Sequence, residues 1–345
     1  MSSTDRDEGL RSFSPGHGWA TGVGSMPHTD PREAAAVVAG ELPDLPHLPE
    51  LPGRGPGADM VGRAAALLVD LHVDVQPSGW RLVDRPGRDE RRATAYLSQD
   101  LDELESACQG ATGPVKLQVA GPWTTAAALR LTRGEPVLSD PGAVRDLVAS
   151  LTEGVVAHVA DLRRRLPGAA PLLQLDEPAL PAVLAGGIRS SSGARRFAPV
   201  PAQDAQSVLR SVVTAVDVPV VVHCCAARPP VGLLHRAGAA GLSLDLTQVS
   251  QETDVELGTA LEDGVALFAG VVPAVPSQGD GLSAAAGTVG PVRRLWHRLG
   301  LPAEGLRRVV VTPTCGMAGA DPEHVRSALR LAREAAGQLA HDPED

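Results

Sequence analysis

The chain has 345 residues, of which 43% are hydrophobic and only 2% aromatic, so Val, Leu and Ala must fill its interior. Asp and Glu (41) outnumber Lys and Arg (31), which gives a formal net charge of −10. With no basic stripe to follow phosphates, this balance argues against nucleic acid and membrane as partners. The sequence contains no run of about 18 apolar residues and no apolar signal core near its start, so we expect a cytoplasmic protein.

Short apolar runs alternate with longer stretches of helical periodicity along the chain. The predicted strands are 20–25, 45–51, 115–120, 172–176, 218–223, 242–246, 265–271 and 309–312. The clearest predicted helices are 30–41, 59–71, 143–166, 203–216 and 290–299. An alternation of this kind is typical of α/β proteins with a parallel sheet.

The pattern predicts an α/β fold in the form of a single (β/α)₈ TIM barrel with loop insertions. The nearly continuous Val run at 218–222 fits a parallel strand that is buried on both faces. A doubly wound sheet is the alternative, but no Gly-rich dinucleotide fingerprint follows a strand here. We expect a disordered lead-in at 1–18, the barrel domain at 19–340, and insertions at 75–92, with a hairpin around 80–83, and at 273–287.

Three of these strands end at or just before residues of the types that bind metals. His223 and Cys225 are two positions apart at the end of the fifth strand, so an extended backbone places both side chains on one face. Cys315 follows the eighth strand, and Asp245 ends the sixth. Because barrel strands all open on one face, one imidazole, two thiolates and a carboxylate would converge there, which suits zinc.

Each of these residues also has a simpler explanation when it is taken alone. A lone cysteine after a strand is most often buried in the core, and Asp245 could cap the helix that follows it. Cys108 lies in a helical stretch and Cys224 points away from Cys225, so we expect both to be core residues. The coincidence of ligand types at strand ends favours the zinc site.

The rim of the predicted barrel holds two further candidate segments. Asp176 and Glu177 end the fourth strand, where a carboxylate could hold a substrate ammonium group, although Pro178 also fits a simple helix start. Val23, Gly24 and Ser25 end the first strand, where glycine permits close approach of a ligand to the backbone, or simply a turn.

In these motifs the chain resembles the C-terminal catalytic half of cobalamin-independent methionine synthase. The resemblance rests on Gly24-Ser25-Met26-Pro27, Asp59-Met60-Val61, Gly121-Pro122-Trp123-Thr124, Asp176-Glu177-Pro178-Ala179-Leu180, His223-Cys224-Cys225 and Cys315-Gly316. It implies that His223, Cys225 and Cys315 bind zinc, with Asp245 where the family has a glutamate. It further implies that Asp176, as catalytic residue, and Val23 to Ser25 hold the amino-acid part of homocysteine.

Two segments depart from the family pattern. Residues 53–58, before Asp59, lack the glutamate that helps bind the substrate amine in the family. Residues 273–277, after the seventh strand, lack the family's proton-transfer histidine. These departures concern the substrate rather than the metal.

The resemblance implies a zinc-dependent methyltransferase of methionine biosynthesis. Its small-molecule thiol would be homocysteine, and its methyl donor either methyltetrahydrofolate or a methylcorrinoid on a partner protein. The alternatives are a related methyltransferase with another thiol acceptor and a zinc-binding barrel without catalysis. A decarboxylase of the same superfamily is the weakest alternative, because that chemistry does not need these cysteines.

Overall fold

The computed structural model describes residues 13–276 and 285–343 of the chain. Strands β1 (His72–Gln76) and β2 (Gly79–Val83) form an antiparallel hairpin. The other described strands form one parallel sheet in chain order. They are β3 (Pro114–Ala120), β4 (Ala170–Asp176), β5 (Val220–Cys224), β6 (Gly241–Asp245), β7 (Ala266–Val272) and β8 (Val310–Pro313).

Helices connect the strands of the sheet. In chain order the described α-helices are α1 (Pro31–Glu41), α2 (Met60–Ala66), α3 (Arg88–Ala107), α4 (Pro122–Ala128), α5 (Pro141–Arg165), α6 (Leu180–Leu184), α7 (Ala202–Ala215), α8 (Val231–Arg236), α9 (Asp254–Glu262), α10 (Ala285–Leu299) and α11 (Pro322–His341). Asp side chains cap α1, α2, α5 and α11, and all of these except α2 begin with proline. The caps satisfy free N–H groups, so these helices start where their sequences predict.

The predicted strands 20–25 and 45–51 are not regular strands, which corrects that part of the prediction. Each forms only isolated parallel bridges, which pair Ala20 with Val311, Ser25 with Glu50, and His47 with Lys116. The described chain therefore has an α/β fold with six regular parallel strands. Two extended segments lie between β8 and β3.

Two predicted insertions differ in outcome. The hairpin around 80–83 is present as β1 and β2, but the segment 75–92 ends inside α3, which begins at Arg88. Of the predicted loop 273–287, residues 277–284 lie outside the described residues, and the last three residues belong to α10. Of the predicted lead-in 1–18, residues 1–12 also lie outside the described part.

The two faces of the sheet bury different side chains. The larger apolar core lies against the helices, whereas a small cluster on the other face contains Leu172, Val221 and Phe268. Phe13 stacks on Phe268 with 5.8 Å between ring centroids, which closes the N-terminal end of that face. Further along the same strands, towards their carboxyl ends, the buried side chains become polar, beginning with Lys116. The polar end of this face is where a ligand can be bound.

No helix among the described residues is both long and apolar enough to cross a membrane.

Candidate active site

The ends of β5 and β8 bring together His223, Cys225 and Cys315. One ligand atom from each residue lies within 4.8 Å of the others. Among the described residues, this is the only group of three or more His, Cys, Asp or Glu side chains with such spacing. We call it the thiol–imidazole cluster. It contains three of the four side chains that the sequence predicts as metal ligands.

The imidazole of His223 is oriented by the neighbouring strand. Its Nδ1 atom lies 2.9 Å from the Ser243 hydroxyl on β6, and its Nε2 atom is buried without a hydrogen-bond partner. An unsatisfied buried nitrogen is costly, unless something outside the chain satisfies it. Metal-binding histidines are commonly held in this way, through the nitrogen that does not bind the metal.

The two cysteines of the cluster are in direct contact. Cys315 Sγ lies 3.1 Å from Cys225 Sγ. Contact with Cys225, and then the proximity of His223, lowers the pKa of Cys315 to about 4, whereas contact with Cys315 raises the pKa of Cys225. Because zinc lies about 2.3 Å from a thiolate, one ion can reach both sulfurs. The donor set of one imidazole and two thiols therefore fits zinc.

Asp245 does not join the cluster. It ends β6 as predicted, but its Oδ1 atom accepts hydrogen bonds from the Thr247 backbone N–H at 2.9 Å and from the Thr247 hydroxyl at 2.7 Å. The carboxylate thus caps a local turn, whereas the alternative expected from the sequence was the cap of a helix. The fourth predicted ligand thus lies at the expected strand end with its carboxylate engaged elsewhere.

Asp176 is buried at the end of β4, beside the thiol–imidazole cluster. Gln174 donates a hydrogen bond to its Oδ1 atom at 2.7 Å. The side-chain amide oxygen of Gln174 in turn accepts a hydrogen bond from Lys116 at 2.7 Å. Burial raises the pKa of Asp176, while the charges of His223 and Lys116 act in the opposite direction. Asp176 therefore links the cluster to a buried polar chain.

Glu177, its neighbour, points to the opposite face of the sheet. Its carboxylate accepts hydrogen bonds from the backbone N–H groups of Trp123 (2.9 Å) and Thr124 (2.8 Å) and from the Thr124 hydroxyl (2.8 Å). A Cβ atom at Gly121 would lie 2.4 Å from Glu177, so a larger residue there would force the Glu177 side chain to move. Glu177 therefore holds the start of α4, in contrast to its predicted role in binding substrate.

The segment from Val23 to Ser25 lies next to the buried polar chain of Lys116 and Gln174 and next to the residues that follow Cys315. The Val23 carbonyl accepts hydrogen bonds from Lys116 Nζ and Gln174 Nε2, each at 2.9 Å. The Ser25 carbonyl accepts one from the Met317 backbone at 2.8 Å, two residues beyond Cys315. A Cβ atom at Gly316 would lie 2.0 Å from the Ser25 hydroxyl, so the two predicted segments are in close contact.

One buried carboxylate was missed by the sequence analysis. Glu50 is only 4% exposed, and burial raises its pKa to about 7, with Arg63 lowering it and Asp176 raising it further. Arg63 lies 3.6 Å from Glu50 and also pairs with the buried Asp100. We call Glu50 and Asp176, with Lys116, the carboxylate cluster. The Glu-Leu-Pro sequence gives no motif that would have identified Glu50.

The fold and site define an α/β protein with a candidate metal site at the carboxyl ends of its parallel strands. Residues 19–338 match the family model described as the catalytic domain of cobalamin-independent synthase. The chain belongs to this family, which confirms the resemblance seen in the sequence. A comparison with curated proteins gave no match.

Two solved structures show how far the likeness extends. A B12-independent methionine synthase from Shewanella sp. W3-18-1, in complex with selenomethionine, is 15% identical with a TM-score of 0.47, and the match covers 68% of this chain and 65% of that chain. This chain thus covers less than two thirds of that synthase. The carboxyl transferase domain of pyruvate carboxylase from Rhizobium etli, with pyruvate, is 12% identical with a TM-score of 0.21 over 65% of this chain and 41% of that one.

Proposed function

We propose that this protein is a zinc-dependent thiol S-methyltransferase that converts homocysteine to methionine. The single observation that carries the proposal is the thiol–imidazole cluster in a member of the cobalamin-independent synthase family. His223, Cys225 and Cys315 would hold the zinc ion, and three protein ligands leave a position for a substrate thiol. When bound, zinc favours the thiolate form of a coordinating thiol at neutral pH.

We also infer that the fold is an eight-stranded (β/α)₈ barrel over residues 19–340. The backbone N–H of Val311 donates to Trp19, and that of Thr21 donates back to Val311. The segments 20–25 and 45–51 are joined by a hydrogen bond between Glu50 and Gly24, and the segment 45–51 is joined to β3 by one between Leu48 and Lys116. These hydrogen bonds support a closed ring in which 20–25 and 45–51 take two strand positions between β8 and β3.

The carboxylate cluster would bind the amino-acid part of the substrate. Asp176 and Glu50 are buried carboxylates near the thiol–imidazole cluster, and an ammonium group would compensate their charge better than Lys116 alone. The backbone from Val23 to Ser25 lies beside them and is a candidate support for the substrate carboxylate. Glu50 would then replace the glutamate that residues 53–58 lack.

The reaction proposed is a direct displacement. The sulfur of the substrate thiolate forms a bond to the methyl carbon, and the donor leaves with the electron pair of its bond to that carbon. The thiol proton is released when the thiolate forms; with methyltetrahydrofolate the N5 atom takes up one proton as it leaves, whereas a methylcorrinoid keeps the electron pair on cobalt and one proton goes to solvent. In this scheme Asp176 orients the substrate through its ammonium group, so that the sulfur lies at the Cys225 and Cys315 end of the site.

A methyltransferase for another thiol is the second candidate. Glu50 lies 3.6 Å from Arg63, so part of its charge is already compensated. A substrate without a free amine would then suit the site better than homocysteine. This alternative keeps the metal site and changes only the acceptor.

The test is methyl transfer with each donor and each acceptor. Purified protein is supplied with homocysteine and either methyltetrahydrofolate or methylcobalamin, and methionine is measured. The Cys315→Ser variant should lose zinc and activity together, whereas Cys108→Ser, far from the cluster and buried among apolar groups, should keep both. A Cys315→Ser protein with full zinc and full activity would overturn the proposal, while activity only with other thiols would favour the second candidate.

A further inference from the structure

The chain is acidic overall, but three connected loops are rich in arginine. The loops are residues 79–88, 129–136 and 185–200, which contain eight arginines but only two acidic residues, Asp84 and Glu135. Six of these arginines are exposed, and we call them the arginine surface: Arg85, Arg88, Arg133, Arg189, Arg195 and Arg196. None of the six forms an ion pair with another described residue, so their charges are available to a partner.

Hydrogen bonds hold the three loops side by side. The Leu82 backbone N–H donates to Arg130 at 2.7 Å, and the Arg130 N–H donates to Trp80 at 2.9 Å. Glu135 accepts two hydrogen bonds from Ser191, from its N–H and its hydroxyl, at 3.0 Å each. One of the two acidic side chains is therefore used to join the loops, which leaves the surface more strongly positive.

The third loop is an exposed hairpin. Isolated pairing of Arg189 with Arg196 closes it, and Gly193 at its tip has a φ of +72°, which favours glycine. The Arg195 guanidinium lies 5.6 Å from the centre of the Phe197 ring, and nearly every residue around it is exposed. The arginine side chains of this loop are therefore exposed to solvent, a position that suits contact with a partner surface rather than with a small ligand held in a cleft.

The arginine surface lies at the rim that carries the candidate site. The second loop follows β3 through α4, and the third follows β4 and Asp176 through α6, so both leave the carboxyl ends of the strands. A partner that docks on these loops would lie beside the opening to the thiol–imidazole cluster.

We propose that the arginine surface docks a protein that presents a cluster of carboxylate groups. Arginine pairs with carboxylates through two hydrogen bonds, and none of these six arginines is paired with a carboxylate of another described residue. Because charges are screened over about 8 Å in physiological salt, a compact acidic face responds to the local patch rather than to the net charge of −10. The loops offer few surfaces for stacking on bases, because Trp80 is buried and Phe197 is half-buried with Arg195 over its ring. The docking claim does not depend on the proposed reaction.

The test uses a fluorescently labelled oligoglutamate peptide as the probe, with anisotropy as the readout. The probe should bind the intact protein at physiological ionic strength and dissociate as more salt is added. A variant with Arg189→Gln, Arg195→Gln and Arg196→Gln should bind at least about 10-fold more weakly. The matched control carries Arg32→Gln, Arg145→Gln and Arg294→Gln, which remove the same charge from exposed helix positions outside the three loops, and should bind like the intact protein.

Four outcomes would overturn the proposal. The first is no binding of the peptide at physiological ionic strength, and the second is equal weakening in both triple variants, which would indicate a general charge effect. The third is tighter binding of a single-stranded oligonucleotide of matched charge, which would identify nucleic acid instead. The fourth is displacement of the peptide by citrate at equal carboxylate concentration, which would identify a small polycarboxylate. Zinc content and methyl transfer, measured in the same variants, should remain unchanged, so a failure here is distinct from a failure of the proposed function.

Discussion

The thiol–imidazole cluster and the carboxylate cluster are neighbours, but they are built in different ways. His223 lies in β5 and Cys225 directly follows that strand, so the two are close in sequence, and only Cys315 comes from elsewhere in the chain. Glu50, Lys116 and Asp176 lie on three separate segments and meet only when the sheet is assembled. The first cluster is therefore visible in the sequence, whereas the second depends on long-range packing.

The two clusters also handle charge differently. Contact with Cys225 lowers the pKa of Cys315 to about 4, which favours the thiolate form that binds metals. In the carboxylate cluster, burial lowers the pKa of Lys116 to about 8 and raises that of Glu50 to about 7, so burial disfavours the charged form of both groups. The thiol–imidazole cluster therefore suits a cation that binds thiolates, and the carboxylate cluster suits a charged ligand that compensates its buried charges.

The largest expected effect separates Asp176 from Glu177. Asp176→Asn should weaken binding of an amino-acid ligand about 100-fold, because a buried ionic partner is worth about 3 kcal/mol, with little change in melting temperature. Glu177→Gln should lower the melting temperature and leave ligand binding nearly unchanged, because it puts an amide N–H against the backbone donors that start α4. Calorimetric titration with homocysteine and thermal unfolding of both variants check this. Equal effects of both substitutions on binding would show that the faces are assigned wrongly.

Ser243→Ala tests the orientation of His223. Loss of the hydroxyl partner at Nδ1 should weaken metal binding by about 10- to 100-fold, as for other groups that orient metal ligands. Competition with a zinc chelator measures this change. Ser150→Ala, which removes a hydroxyl bonded to the Val69 carbonyl far from the cluster, is the control and should have no effect. An unchanged zinc affinity in Ser243→Ala would mean that Ser243 does not position the imidazole.

Glu50 should make ligand binding depend on pH. Its pKa of about 7 lies above its ordinary value, so the carboxyl is neutral below that pH and charged above it. Affinity for homocysteine should therefore rise about 10-fold as pH is raised from about 6 to about 8. Glu50→Gln should flatten this rise and lower the affinity at the upper end. A profile that is identical in the variant would remove Glu50 from the substrate site.

Gly121→Ala should have the smallest effect, and on stability alone. The new Cβ would lie 2.4 Å from Glu177, and overpacking of this kind costs about 1–3 kcal/mol. The protein should melt at a lower temperature with unchanged zinc content. Gly113→Ala, where the nearest atom to a Cβ would be 3.9 Å away, should melt like the unchanged protein. Similar melting of both variants would show that Glu177 can move away from α4.

The sequence predicted the α/β class and the approximate positions of the six regular strands because each is a short, mostly apolar run. It also placed regular strands at 20–25 and 45–51, where only isolated bridges form; in 45–51 the prolines at 46 and 49 remove backbone donors. It placed Asp245 correctly at the end of a strand, but it could not show that the carboxylate accepts a local hydrogen bond from Thr247 instead of joining the thiol–imidazole cluster. It also assigned Asp176 and Glu177 to one role, although adjacent residues of a strand face opposite sides.

The measurement that tests the central claim most directly is zinc content combined with X-ray absorption at the zinc edge, with and without homocysteine. The account predicts one zinc per chain bound by one nitrogen and two sulfurs from His223, Cys225 and Cys315, with a further sulfur when homocysteine is added. It also predicts loss of that zinc in Cys315→Ser. A protein that binds no zinc under reducing conditions, or whose zinc shell contains no cysteine sulfur, would contradict it.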